Sequence, residues 1–333
     1  MIDARFTEPR EETLAALRDC PGDVVVLGAG GKMGPSLTAM LARAVAALGG
    51  DRRVVAVSRW SDRVAKSSLE SMDVVTVECD LLNPDEVALL PAAPNVIFMA
   101  GQKFGTDDRP SLTWAMNTLV PANAARRYAG SRVVAFSTGN VYPLTPVASG
   151  GARETDPVAP VGEYAMSCVG RERVFEFFSD RDATRFAIFR LNYAIDVRYG
   201  VLLDLAQRVA AGEAIPLAMG YVNVIWQGDA NRIAIECLPR ASAPPFVLNV
   251  TGRETLSVRG LAELLGRRLG REPVFAGTEG SDALLSNAEL MHTTFTPPAT
   301  SVAEMIEHVA VAVEQDAPTL GKPTHFEARD GRF

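Results

Sequence analysis

The fold is decided by a stretch near the start of the chain, DVVVLGAGGKMG at residues 23–34. Its first half is a continuous apolar run, which is typical of a β-strand that is buried on both faces. Its second half places Gly28, Gly31 and Gly34 directly before a helical segment, Gly34–Leu48. A strand, a glycine-rich turn and a helix in this order predict a dinucleotide-binding unit, because free N–H groups and the positive end of the helix dipole attract phosphate.

Each glycine of this turn has a physical reason to be there. Gly28 permits the tight turn, Gly31 lets the backbone approach a pyrophosphate, and Gly34 lets the helix pack closely against the strand. We therefore expect the turn, with Lys32 and Met33 included, to hold the pyrophosphate of a nicotinamide cofactor.

The end of the second predicted strand indicates which cofactor binds. An NAD site places an acidic residue there to accept hydrogen bonds from the ribose. Here the strand ends in Ser58-Arg59, and Arg59 is positioned to meet a 2′-phosphate, with Lys32 as a second cation. The absence of an acidic residue and the presence of Arg59 favour NADP(H), with NAD(H) possible. The alternative interpretation of Arg59 is a solvated surface charge. After the third strand, Asp80 and Leu81 are expected to border the adenine, unless Asp80 caps the next helix.

Strand-length apolar runs alternate with helical segments over the first two thirds of the chain. This alternation predicts an α/β fold, a Rossmann-like doubly wound parallel sheet with a smaller, interleaved C-terminal substrate lobe. The expected domains are residues 1–192 with about 225–250 for NAD(P), and about 193–224 with 251–333 for the substrate lobe. The predicted elements are strands Asp23–Leu27, Arg53–Val57, Val74–Val77, Val96–Ala100, Val133–Phe136, Phe186–Leu191 and Phe246–Val250, and helices Gly34–Leu48, Trp114–Tyr128 and Tyr164–Phe178.

Composition excludes several classes of function. The 333 residues carry a net charge of −7 with no basic block, so we expect no nucleic-acid or anionic-membrane partner. The three histidines do not cluster and the four cysteines form no CxxC pair, so no metal site is expected. No apolar run approaches the roughly 18 residues that span a bilayer, and the first residues lack a signal peptide's apolar stretch. These features predict a cytoplasmic protein.

Further motifs resemble the extended short-chain dehydrogenase/reductase family of NAD(P)-dependent sugar epimerases and dehydratases, over roughly residues 22–250. Ala100-Gly101 resembles the family's turn beneath the cofactor, and Asn117 resembles its helix asparagine. STGNVY at 137–142 resembles its serine/threonine motif. The resemblance implies that Thr138 hydrogen-bonds the reacting oxygen. It also implies that Tyr164 exchanges a proton with the substrate while hydride passes to or from the nicotinamide.

One position departs from the family pattern. The family lowers the tyrosine pKa with a lysine four residues later, and here that position holds Cys168. Three explanations stay open. In the first, another cation, Arg171 or Lys103, replaces the lysine that lowers the tyrosine pKa. The alternative interpretation of Arg171 is an ordinary surface charge. Alternatively, Tyr164 works without a cation, or the chain binds NADP(H) as a catalytically silent sensor or scaffold.

The resemblance also bears on the substrate. Family members that act on nucleotide sugars carry an arginine that holds the diphosphate, and the comparable position here is Val222. This favours a smaller carbohydrate-like hydroxyl or ketone over a nucleotide sugar, in an oxidoreductase or epimerase reaction. Asn192 and Trp226 would line the substrate pocket. The alternative interpretation of Trp226 is packing in the core. Related folds pair through four helices, so a homodimer through Trp114–Tyr128 and Tyr164–Phe178 is expected.

Overall fold

The computed structural model describes residues 2–103 and 109–331. The chain forms two compact units. The first comprises Met1–Thr138, Glu163–Arg190 and Gly228–Leu248, and the second comprises Gly139–Gly162, Leu191–Gln227 and Asn249–Phe333. The predicted domain boundaries stay a prediction; these units differ from them in placing Gly139–Gly162 with the second unit.

Strands and helices alternate along the described chain. The strands are β1 (Val24–Leu27), β2 (Val54–Ser58), β3 (Val75–Glu78), β4 (Asn95–Phe98), β5 (Arg132–Thr138), β6 (Thr145–Pro146), β7 (Arg185–Leu191), β8 (Ala194–Ile195), β9 (Ala214–Pro216), β10 (Tyr221–Val222), β11 (Ile225–Trp226), β12 (Phe246–Val250), β13 (Leu256–Ser257), β14 (Val274–Ala276) and β15 (Asp282–Ala283). The α-helices are α1 (Glu11–Asp19), α2 (Gly34–Leu48), α3 (Arg63–Glu70), α4 (Pro84–Ala88), α5 (Pro110–Trp114), α6 (Val120–Arg127), α7 (Gly162–Asp182), α8 (Val201–Ala211), α9 (Gln227–Glu236), α10 (Val258–Leu269), α11 (Glu289–Thr294) and α12 (Val302–Glu314).

Seven strands form the central sheet in the order β12-β7-β5-β4-β1-β2-β3. Strand β1 pairs in parallel with both β2 and β4, and β2–β3 and β4–β5 are also parallel. The chain therefore builds outward in two directions from β1, and the order reverses between β1 and β4. Ligands of doubly wound sheets bind outside the carboxyl ends of the strands at such a reversal. The predicted fold class is confirmed.

Burial explains the uniform apolar strands. All four residues of β1 and of β4 are buried, as expected for strands covered on both faces. Phe175 on α7 packs edge-on against Phe98 of β4 at 5.2 Å between ring centroids, and against Phe186 of β7 at 5.0 Å. These contacts fix α7 against the sheet, and α7 carries both Tyr164 and Arg171.

The predicted helix Trp114–Tyr128 differs from the structure. Helix α5 begins earlier, at Pro110, and a π turn at Ala115–Leu119 separates it from α6. The turn contains the fully buried Asn117, whose side chain is held by polar partners described below. Periodicity does not show a π turn, because it shifts the helix face by only one residue.

The second unit contains short two-stranded pairs, β10–β13, β11–β8, β14–β9 and β15–β6. Helix α8 packs against α10 and α12 within this unit. No helix in the described ranges is long and apolar enough to cross a membrane.

Candidate active site

The glycine turn is shaped by close backbone approaches. Gly28 has φ +88°, and a Cβ there would lie 2.7 Å from the backbone nitrogen of Ala100. A Cβ on Gly34 would lie 2.4 Å from the carbonyl oxygen of Ala29. Any side chain at these two positions would push the turn away from β4 or from α2. The turn and the first N–H groups of α2 therefore leave a cradle that fits a dinucleotide pyrophosphate.

The segment after β2 combines one anchored and one exposed side chain. Trp60 is 1% exposed, and its indole Nε1 donates to the carbonyl oxygen of Val77 at 3.0 Å. Arg59 is exposed, and its guanidinium makes no hydrogen bond or ion pair with any residue that the structure describes. Ser58 lies under the glycine turn, where a Cβ on Gly30 would meet its Oγ at 2.5 Å.

The turn after β3 is internally hydrogen-bonded. Asp80 Oδ1 accepts from the backbone N–H of Leu82 at 3.1 Å, and Leu81 is buried. Helix α4 is capped by Asn83, which accepts from the N–H of Asp85 at 3.1 Å. Asp80 therefore stabilises the turn rather than capping the helix, and its carboxylate remains partly exposed.

Asn117 connects the loop after β4 to α7. Its Oδ1 accepts from the N–H of Gln102 at 3.1 Å and from Arg171 Nη2. Its Nδ2 donates to the carbonyl oxygen of Gln102 at 3.1 Å and to Ser167 Oγ at 2.8 Å. Ser167 Oγ in turn donates to the carbonyl oxygen of Tyr164 at 2.8 Å. The side chain of Asn117 is thus fully engaged inside the protein.

Arg171 is the nearest buried cation on the helix that bears Tyr164. It is 6% exposed, so its interpretation as an ordinary surface charge is wrong. Its Nη1 donates to the carbonyl oxygen of Phe136 at 2.8 Å, and a Cβ on Gly101 would lie 2.2 Å from Nη2. Side chains on a helix lean toward its N-terminus, which carries this guanidinium back toward Tyr164.

Tyr164 lies in an environment that favours its neutral form. Burial raises its pKa well above the ordinary value, and Cys168 raises it further. The charge of Arg171 and a hydrogen bond with Thr138 lower the pKa, in that order. Thr138 is 6% exposed at the end of β5. The predicted pair Thr138 and Tyr164 is therefore in contact, and Arg171 is one of the groups that act on the phenol electrostatically.

Cys168 is fully buried. Burial raises the pKa of its thiol, which Arg171 and a hydrogen bond with Tyr164 lower. Lys103 approaches from the loop after β4, with Nζ 6.0 Å from the centroid of the Tyr164 ring. The ammonium therefore lies over the ring face, at the outer limit of a cation–π contact.

A network that the sequence reasoning missed holds the end of β5. Ser137 Oγ donates to Glu172 Oε1 at 2.5 Å, and Arg190 makes two bonds to the Glu172 carboxylate at 3.0 and 2.7 Å. All three residues are buried. Two residues in the sequence could have indicated this network: Ser137, which precedes Thr138, and Glu172, which follows Arg171. The network fixes the strand end that presents Thr138.

Asn192 and Trp226 belong to the second unit. Asn192 is 2% exposed, and its Nδ2 is buried without a hydrogen-bond partner among the described residues. Trp226 is 3% exposed and packs on His308 at 5.3 Å between ring centroids.

In the described ranges, no group of three or more histidine, cysteine, aspartate or glutamate residues could hold a metal ion.

Comparisons with known proteins agree with this architecture. Pal from Bacillus thuringiensis matches with a TM-score of 0.74 and 15% identity, over 88% of this chain and 99% of that one. The UDP-Glc/GlcNAc 4-epimerase of Campylobacter jejuni matches at 0.72 and 19%, over 89% and 100%. The UDP-glucose 4-epimerase of Thermus thermophilus, solved with NAD, matches at 0.69 and 20%, over 88% and 99%. At these identities the similarity shows the fold.

A search of curated proteins found no match. The model of the NAD dependent epimerase/dehydratase family matches residues 24–219, more than half of the chain. This match confirms the resemblance that the sequence motifs indicated. With the parallel sheet, the glycine turn and the contact between Thr138 and Tyr164, it shows that the chain belongs to the NAD dependent epimerase/dehydratase family.

Proposed function

We propose that the protein is an NAD(P)-dependent oxidoreductase or epimerase that acts on a carbohydrate-like hydroxyl or ketone. Thr138 and Tyr164 form its proton-transfer pair, and Arg171 replaces the family's lysine. The observation that carries this proposal is the buried guanidinium of Arg171, whose charge lowers the pKa of Tyr164.

Arg171 is favoured over Lys103 by geometry. The guanidinium of Arg171 is fixed by the Phe136 carbonyl oxygen and by Asn117, and it abuts Gly101. It is also one of the charges that shift the pKa of Tyr164, whereas Lys103 lies over the ring face at 6.0 Å. Because Cys168 is small, it leaves room on the inner face of α7 for the longer side chain of Arg171, which follows two turns after Tyr164.

The chemistry divides between cofactor and protein. NAD(P), bound by the glycine turn, would supply the hydride acceptor and donor. Thr138 would hold the reacting oxygen of the substrate by a hydrogen bond. Tyr164 would take or return the proton at that oxygen through its phenolic Oη. Arg171 would stabilise the phenolate, because an opposite charge nearby favours the ionised form of an acid.

The exposed guanidinium of Arg59, which has no partner in the part of the chain that the structure describes, supports a preference for NADP(H). We expect Arg59→Gln to weaken NADPH binding by about 10-fold or more, since a charge-assisted hydrogen bond to phosphate contributes about 1.5–3 kcal/mol. NADH binding should stay within about two-fold, because NADH lacks the 2′-phosphate that Arg59 would contact. Fluorescence titration of both cofactors checks this, with Arg63→Gln as the control. Equal losses for the two cofactors would reject the 2′-phosphate contact.

Val222 supports a substrate smaller than a nucleotide sugar. It is fully buried in β10, so the position where the family's diphosphate-binding arginine is expected carries no charge. The two epimerases compared above act on UDP sugars by their names, and this chain shares under 25% identity with them. A polyol, free sugar or sugar acid is therefore the proposed substrate class.

Exposed apolar side chains support the proposed homodimer. Trp114 is 38% exposed and Leu119 57%, while Met166 and Phe177 on α7 are 45% and 56% exposed. They lie on the two helical segments through which pairing was predicted. Burying these side chains in an interface between two copies of the chain would remove their apolar surface from water.

A panel assay tests the proposed function. We expect absorbance loss at the reduced-nicotinamide band when the protein is mixed with NADPH and an accepted ketose, aldose or uronic acid. Polyols with NADP⁺ should give the reverse change, and UDP-glucose tests the nucleotide-sugar alternative. Because an epimerase returns its hydride and gives no net absorbance change, the sugars recovered from each reaction are also separated by chromatography. Tight cofactor binding with neither an absorbance change nor a new sugar across the whole panel would instead support a silent NADP(H)-binding sensor, which the cysteine at position 168 and the raised Tyr164 pKa favour.

A further inference from the structure

A connection of four residues, 59–62, joins β2 to α3. At its start, the carbonyl oxygen of Ser58 accepts from the N–H of Cys79 at 3.2 Å, so hydrogen bonding beside β3 continues to the last residue of β2. At its end, the side chain of Asp62 caps α3 by accepting from a backbone N–H of the first turn. Because both ends are fixed and the connection is short, its middle determines where the side chain of Arg59 can lie.

Trp60 is the one buried residue of this connection, and its backbone is strained. Its φ is +50°, which bulky residues rarely adopt and which persists only where the surroundings impose it. Its indole is 1% exposed, and Nε1 donates to the carbonyl oxygen of Val77 in β3 at 3.0 Å. Burial of the ring and this hydrogen bond therefore hold the chain in a sharp turn directly after Arg59.

The glycine turn is held against the same strand end. Two N–H groups of that turn donate to the carbonyl oxygen of Val57 at 2.9 and 3.0 Å. A Cβ on Gly30 would lie 2.5 Å from Ser58 Oγ and 3.7 Å from Trp60 Cε3, so the indole ring lies beside the turn. The phosphate cradle, the end of β2 and the ring of Trp60 are therefore packed together.

The next cation along the chain has a different environment. Arg63 is the first residue of α3, and its Nη1 lies 3.7 Å from Glu78 Oε2. Arg59 has no such carboxylate partner in the part of the chain that the structure describes. Its guanidinium is therefore the one of these two that stays available to an anionic ligand.

We propose that Trp60 is a positioning residue for the preference for NADP(H). By fixing the turn after Arg59 relative to the glycine turn, Trp60 holds the guanidinium where it meets the 2′-phosphate of a bound cofactor. A backbone that is fixed before binding reduces the conformational entropy lost when a long side chain contacts its ligand. This inference rests on the proposed function and deepens it, because it names a residue that determines the choice between NADPH and NADH.

Trp60→Phe tests the inference in a binding assay that needs no turnover. The substitution keeps an aromatic ring and removes the indole N–H that bonds to Val77. We expect the ratio of the NADPH to the NADH dissociation constant to rise by about three-fold or more, because the loss of one net hydrogen bond loosens the turn. Fluorescence of the reduced nicotinamide measures both constants, and circular dichroism checks folding. Trp60→Tyr, which fills more of the same space, is a second variant that should raise the ratio as well.

A double-mutant cycle separates positioning from stability. In the Arg59→Gln background, Trp60→Phe should leave the ratio unchanged, because no cation remains for the turn to position. Tyr128→Phe is the matched control, since it removes another hydrogen bond from a buried ring to a carbonyl oxygen, that of Pro91. It should lower stability and leave the ratio unchanged.

The outcomes distinguish this inference from the proposed function. Equal weakening of NADPH and NADH by Trp60→Phe, or a ratio that rises equally with and without Arg59, would overturn the positioning role. A ratio that responds to Arg59→Gln and not to Trp60→Phe rejects this inference alone. If Arg59→Gln itself leaves the ratio unchanged, the 2′-phosphate contact fails and the positioning role fails with it.

Discussion

Replacing Arg171 with methionine is expected to abolish most of the activity while leaving the fold intact. Arg171 is one of the groups that lower the pKa of Tyr164, and burial and Cys168 both raise that pKa. Without the guanidinium the phenol becomes a weaker acid that ionises less readily, and each unit of pKa corresponds to about 1.4 kcal/mol. We expect kcat to fall by about 10- to 100-fold in the oxidation direction. Steady-state kinetics with the substrate found by the panel measures this.

The same substitution removes two buried hydrogen bonds, from Arg171 Nη1 to the Phe136 carbonyl oxygen and from Nη2 to Asn117 Oδ1, which keeps its bond from the Gln102 N–H. We therefore also expect the free energy of unfolding to fall by about 1–3 kcal/mol. Arg173→Met is the matched control, because Arg173 lies two residues later on the same helix in an exposed pair with Glu176. Equal loss of activity in both variants would mean that the loss is not specific to Arg171. Undiminished kcat in Arg171→Met would assign the role elsewhere.

Replacing Tyr164 with phenylalanine is expected to have the largest effect on catalysis. The substitution removes the hydroxyl that Thr138 and Cys168 contact and keeps the ring. A positioned proton-transfer group contributes about 10²- to 10⁴-fold, so kcat should fall by that factor. Cofactor affinity should change little, because the glycine turn and Arg59 remain in place.

Tyr128→Phe is the control for this substitution, since Tyr128 is a buried tyrosine whose hydroxyl donates to the carbonyl oxygen of Pro91 at 3.2 Å. It should lose stability and keep its kcat. A Tyr164→Phe enzyme that retains native kcat would show that the proton travels by another route. Stopped-flow absorbance at the nicotinamide band separates this chemical step from product release.

The central sheet was predictable because its strands are buried on both faces. A continuous run such as Val24–Leu27 is stable in a folded chain only where helices cover it. The helix Gly34–Leu48 was predicted to the residue, since its glycine turn and Pro35 mark its start. Helix Trp114–Tyr128 was predicted less well, because the π turn depends on the long-range partners of Asn117.

The candidate site was predictable to the extent that it depends on local motifs. Thr138 and Tyr164 were placed by their resemblance to the family, and the structure brings them into contact. The burial of Arg171 was not predictable, because spacing along a helix does not show what covers a face. The contacts of residues 323–331 were beyond sequence reasoning as well. These residues are polar and aperiodic, and their partners, such as Asp204 and Asp282, are far away in the sequence.

The pH dependence of kcat/KM tests most directly whether Arg171 replaces the missing lysine. A general base must be deprotonated, so activity in the oxidation direction rises as pH approaches the Tyr164 pKa from below. Because Arg171 lowers that pKa, Arg171→Met should move the rising limb to higher pH. Arg173→Met should leave the limb where it is. A rising limb at the same pH in native protein and Arg171→Met would contradict the account.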